Sequence, residues 1–164
     1  MTGGKKTCIF VLFVMLISSL YLWAKPEDVI AYPAGFRNWN HVRSALVGPA
    51  SPAHQEYGGL HHIYANAKAV EGYRDGKFPD GSVLVFDLFE AKEHHGTTIE
   101  GRRKFIDMMV KDGKRFADTG GWGYERYAGD SQTERVLTAQ AKTACYNCHA
   151  TQKDNDYVFS KLRE

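Results

Sequence analysis

Ser82 to Ala91 reads SVLVFDLFEA, and no other stretch restricts the fold so tightly. Side chains on a strand alternate between two faces, which puts Val83, Val85, Asp87 and Phe89 on one side and Leu84, Phe86, Leu88 and Glu90 on the other. Both sides are mostly apolar. Such a strand must be covered on both faces, so it belongs at the centre of a sheet with a layer packed on either side. The turn Phe78-Pro79-Asp80-Gly81 launches it, since proline presets its own φ and glycine accepts the positive φ of a tight reversal.

Other segments supply partners for that strand. Gly59 to Asn66 (GLHHIYAN) alternates, with Leu60, His62 and Tyr64 on one face and His61, Ile63 and Ala65 on the other. Trp122 to Ala128, after Gly120-Gly121, alternates as well, while Arg102 to Val110 fits either a strand or one to two helical turns. Residues 47–59 and the run HHGTT read as loops. In the stretch from Pro33 to Ala45, Phe36, Trp39 and Val42 recur at i, i+3 and i+6, which predicts a short helix. Further helices are predicted over AKAVEGYR, from Glu134 to His149 and from Asp156 to Leu162. There is no internal repeat. The sum is an α+β fold: a predominantly antiparallel β-sheet domain with flanking helices.

With 164 residues, 43% of them hydrophobic and 24% charged, the chain has the length and composition of one ordered domain. Lys5 and Lys6 precede an apolar run from Cys8 to Leu22, the pattern of an export leader over residues 1–24, either cut after Ala24 or kept as an uncleaved anchor. That run is short for a membrane span. The functional domain is then 25–164, and in bacterial terms its compartment is the periplasm. Lys5 and Lys6 also account for the whole net charge of +2. The neutral remainder argues against nucleic-acid binding. Cys8 opens the apolar run rather than following it, which disfavours a lipoprotein anchor, and the remaining thiols are Cys145 and Cys148.

Those two lie in Cys145-Tyr146-Asn147-Cys148-His149, the C-x-x-C-H pattern of covalent c-type haem attachment. Two thiols three positions apart on a helical turn share one side and can each form a thioether, while the adjacent imidazole supplies an axial iron ligand. A disulfide or thioredoxin-like reading leaves His149 idle and lacks the βαβ context. Zinc needs two further ligands, and His61 and His62 point to opposite faces of a strand. One covalent haem c is the expected cofactor. Beyond the leader the only methionines are Met108 and Met109, in an apolar stretch that suits core packing. The sequence therefore favours a five-coordinate iron.

The ordered segments YPAGFRNWNHVRS, GGLHHIYANAKAV, GKFPDGSVLVFDLFEA, VKDGKRFADTGGWGYERY and ACYNCHATQKDNDYVFSKL resemble the cytochrome P-460 family over residues 29–162. The resemblance implies a dimeric, largely antiparallel domain with two functional branches. Cytochromes P-460 proper oxidise hydroxylamine and carry a lysine cross-linked to the haem. Cytochromes c′-beta lack the cross-link and bind nitric oxide and carbon monoxide under an aromatic cap. In the first branch the lysine follows a D-G-x-V-x-V run. Here that run is Asp80 to Val85 and the next residue is Phe86, so no such cross-link can form. The same resemblance puts Tyr57 at a second capping position, His61 where the first branch has a distal arginine, and Asp107 at its pocket glutamate. Read without it, Phe86 is core, His61 is a hydrogen-bonded strand histidine, and Asp107 is a solvated charge or the partner of a ring nitrogen.

The expectation is a periplasmic mono-haem c-type cytochrome of the c′-beta kind, five-coordinate through His149. It would bind nitric oxide or carbon monoxide in a pocket walled by Phe86 and Tyr57. The alternatives are a hydroxylamine or nitric oxide oxidoreductase using Asp107 and His61, and a simple electron carrier serving a redox partner protein through Met108 or Met109. The family suggests a homodimer.

Overall fold

A computed structural model describes residues 29–163; the leader expected over 1–24 lies outside them. Five strands form one antiparallel sheet: β1 (Asn40–Val47), β2 (Gly59–Ala65), β3 (Val83–His94), β4 (Thr97–Lys111) and β5 (Trp122–Ala128). They lie in the order β1-β2-β3-β4-β5, so each pairs with its neighbours in sequence. Three α-helices, α1 (His54–Tyr57), α2 (Ala67–Asp75) and α3 (Ala139–His149), accompany them. The α+β fold is the one the sequence implies.

β3 is central and covered on both faces, as its composition demands. On one face Leu84 packs with Val42, Ala65, Met109 and Trp122 beneath α2, α3 and the C-terminal segment. On the other, Val85, Ile106 and Met108 are roofed by Ile30 and Phe36 from the segment that enters β1. Asp87 is fully buried on this second face, where Arg103 Nε reaches it at 2.6 Å and Arg37 Nε at 3.3 Å. Paired guanidinium groups offset the cost of taking a carboxylate out of water.

Local chemistry sets the element ends. Asn66 caps α2 by accepting from Ala69 N at 2.9 Å, accepts again from Val83 N at 3.1 Å, and donates to Gly81 O at 2.9 Å, tying the helix to the start of β3. β4 is a strand throughout. The loop expected at HHGTT shrinks to His95-Gly96, both with positive φ, because this two-residue turn matches the twist of the strands it joins.

Three helix expectations need correction. Phe36–Asn38 is one 3-10 turn, and from Asn40 the chain is strand β1. Phe36 and Trp39 pack on one face of the sheet and Val42 on the other, so their regular spacing is not a helical stripe. α3 begins only at Ala139, after its cap Thr138, rather than at Glu134. Asp156 to Leu162 is not helical: a 3-10 turn at Ala150–Asn155 ends where Asp156 and Tyr157 both adopt positive φ.

Candidate haem site

α3 carries the cysteines and His149, and runs straight into the following 3-10 turn. Cys145, half-buried, packs against the core together with Tyr146, and Cys148 is exposed; both thiols are free. Burial, with Asp107 adding to it, pushes the Cys145 thiol up to about 11. Lys142 of α3 donates to the buried Glu125 at 3.0 Å and so fastens the helix to β5.

His149 is oriented. Its Nδ1 lies 2.7 Å from Tyr157 O. A backbone carbonyl can only accept, so Nδ1 carries the proton and Nε2 keeps its lone pair for a metal. Burial lowers the imidazole pKa, against the opposing effect of the Tyr157 bond. The ring sits between Tyr124 and Phe159, at centroid distances of 5.3 and 5.0 Å.

Strand register arranges the rest in three rows across one sheet face. Ala65, Leu84, Met109 and Tyr124 form the row nearest His149. Next come Ile63, Phe86, Asp107 and Arg126, then His61, Leu88 and Phe105. Tyr57, from α1, meets Phe86 edge to face at 5.7 Å and Phe105 at 6.0 Å. His61 stacks on Phe86. Tyr57 and His61, close in sequence, thus form one cluster with the more distant Phe86 and Asp107. Met108 does not join it: it points to the opposite face, where a cavity of about 290 Å³ is lined by Ile30, Trp39, Val83 and Met108.

Arg126 is the member that sequence reading missed. Its guanidinium grips Asp107 through two bonds of 2.5 and 2.7 Å, approaches Tyr57 Oη at 3.4 Å and Glu56 at 3.0 Å, and lies 3.7 Å over the Phe105 ring. Alternation along β5 puts it on the same face as Trp122 and Tyr124, but only the β4–β5 register reveals Asp107 as its partner. Burial raises the Asp107 carboxyl and Arg126 offsets part of that rise. Burial, with Asp107 adding to it and Arg126 opposing it, leaves the Tyr57 hydroxyl well above its usual range, so it stays protonated.

The donor set fits a haem. Free thiols at i and i+3 precede an imidazole with an available Nε2, and two buried polar atoms nearby, Tyr124 Oη and His61 Nδ1, have no protein partner. The model of the family described as Cytochrome P460 matches residues 33–160. The chain belongs to the cytochrome P460 family. A search of curated proteins returned no match. As a cytochrome P460 protein, the chain is a haem-binding cytochrome, and its five-stranded antiparallel sheet with helices agrees with that family. Among the described residues, no helix is long and apolar enough to cross a membrane.

Proposed function

We propose that the protein is an exported, periplasmic mono-haem cytochrome of the c′-beta kind. Cys145 and Cys148 would hold the haem through thioethers, His149 would supply its imidazole to the iron, and the aromatic cluster would face the bound nitric oxide or carbon monoxide. The haem iron, when bound, supplies the coordination bond to the diatomic ligand. The chain supplies the walls. The observation that carries this reading is Phe86 at the family's lysine position, braced by Tyr57 and His61 into an aromatic wall that excludes water and anions. Asp107 supports binding over oxidation, because Arg126 engages both of its carboxylate oxygens and holds it in an ion pair.

A second reading, oxidation of hydroxylamine or nitric oxide, draws support from His61, whose buried, unpartnered Nδ1 could exchange a proton. An electron carrier ligated by Met108 or Met109 is disfavoured: Met108 faces away from α3, and Met109 packs in the core with Leu84 and Tyr124. A homodimer and a reducing partner protein belong to the proposal. Optical titration of the ferric and ferrous protein with nitric oxide and carbon monoxide tests it, beside intact mass for one covalent haem. Tight binding by a five-coordinate ferrous form is expected. A six-coordinate low-spin spectrum without added ligand, or steady turnover of hydroxylamine with an electron acceptor, overturns it.

A further inference from the structure

The carbonyl that orients His149 sits in an unusual piece of backbone. Asp156 (φ 46) and Tyr157 (φ 66) are consecutive left-handed residues, and neither is glycine. Left-handed backbone strains residues that carry a Cβ, so the surrounding structure must hold the pair in place. Three elements converge on Asp156 to do so. From the end of β4, Lys111 Nζ donates to Asp156 Oδ1 at 2.7 Å. Phe78 N, in the turn before β3, donates to Oδ2 at 2.8 Å. At the start of β5, the Trp122 indole donates to Asp156 O at 2.8 Å. Lys111 is itself fixed, donating to Gly120 O at 3.0 Å and lying 4.9 Å over the Trp122 ring.

Lys111 and Asp156 are both nearly buried, with side chains 9% and 13% exposed. A buried ion pair is a weak source of stability, since desolvation costs about what attraction returns. Its geometric effect is definite: it fixes the turn whose next carbonyl accepts the hydrogen bond from His149 Nδ1–H.

We propose that Lys111 and Asp156 are positioning residues for the iron ligand, a sheet-anchored clamp that sets the strength of the His149 hydrogen bond and through it the electron donation of the imidazole. The proposal rests on His149 being that ligand. A firm Nδ1–H···O=C bond makes the imidazole more basic, which stabilises ferric over ferrous iron and strengthens the iron–nitrogen bond.

The test compares Lys111→Met and Asp156→Asn in the haem-loaded protein, reading the reduction potential and the ferrous iron–histidine stretching frequency. Charge alone would move the potentials in opposite directions, down when a cation is lost and up when an anion is lost. The clamp predicts that both variants raise the potential, by up to about tenfold in the ferric/ferrous equilibrium (~59 mV for one electron), with the stretch lowered in both. Lys111→Arg should restore the native values. If Lys111→Met fails to fold, Asp156→Gly serves instead, since glycine accepts a φ of 46 while losing the carboxylate. It should lower the stretch more than Asp156→Asn does. Potentials of opposite sign, or an unmoved stretch, overturn the clamp. An unmutated protein whose haem spectrum is unchanged by His149→Ala overturns the ligand assignment, and the clamp with it.

Discussion

His61 stacks on Phe86 with ring centroids 4.4 Å apart and planes 25° from parallel. Its Nδ1 is buried without a hydrogen-bond partner, and burial, with Arg43 and His62 adding to it, lowers its pKa to about 4. Unfolded, the same group takes up a proton near 6.5. Between those values the unfolded chain binds more protons than the folded one. Stability therefore rises with pH from 4 to 6.5 and is lost as pH falls through that window, by at most ~3 kcal/mol from this group. Urea midpoints at pH 4.5 and 7 should differ strongly in the unmutated protein and much less in His61→Phe.

Phe86 is half-buried, so Phe86→Ala should cost about 2 kcal/mol, less than a fully buried phenylalanine. The haem should stay attached. Carbon monoxide recombination after photolysis should quicken by roughly tenfold, equal to ~1.4 kcal/mol of steric barrier removed. An unchanged rate would mean that the ring does not wall the ligand's path.

Asp107→Asn leaves the Arg126 guanidinium, with a side chain 13% exposed, with only the largely exposed Glu56 as a charged partner. Breaking such a pair should cost about 3 kcal/mol in a denaturant titration. Asp107→Asn with Arg126→Met should be more stable than Asp107→Asn alone, because the near-buried cation left with only an exposed partner is gone. Additive losses would count against the pairing.

Gly59 opens β2 with φ 135, and a Cβ there would sit 2.1 Å from Phe89 O. Gly59→Ala must push β2 from β3 and should cost roughly 3 kcal/mol. It follows α1 by one residue, and Lys104 Nζ donates to the intervening Gly58 O at 2.9 Å. The shift should therefore reach Tyr57, visible as altered carbon monoxide recombination as well as a lower Tm.

The pattern of β3 was legible because both of its faces are apolar, a condition only a central position satisfies. The CYNCH helix was legible through its spacing. What misled was spacing without context: Phe36, Trp39 and Val42 mimic a helix, yet the chain turns at Phe36–Asn38 and crosses from one sheet face to the other with an irregular register between His41 and Arg43. The aromatic cluster drew on family likeness for Tyr57 and Phe86, whereas Arg126 needed the pairing of β4 with β5. Nor does any local pattern announce that Asp156 and Tyr157 are left-handed. Contacts from three distant elements impose that conformation.

Because every strand pairs only with its neighbours in sequence, the sheet closes between residues 40 and 128, before the first residue of α3. A meander of this kind gathers its contacts locally and can assemble in the order of synthesis. Its aromatic wall and its Asp107–Arg126 pair need nothing from the cysteines. The attachment helix then follows the formed sheet, with Cys148 still open to solvent, and the C-terminal segment packs after it. Chain order thus doubles as an order of assembly, in which the protein builds the receiving surface first and presents its cofactor anchor afterwards.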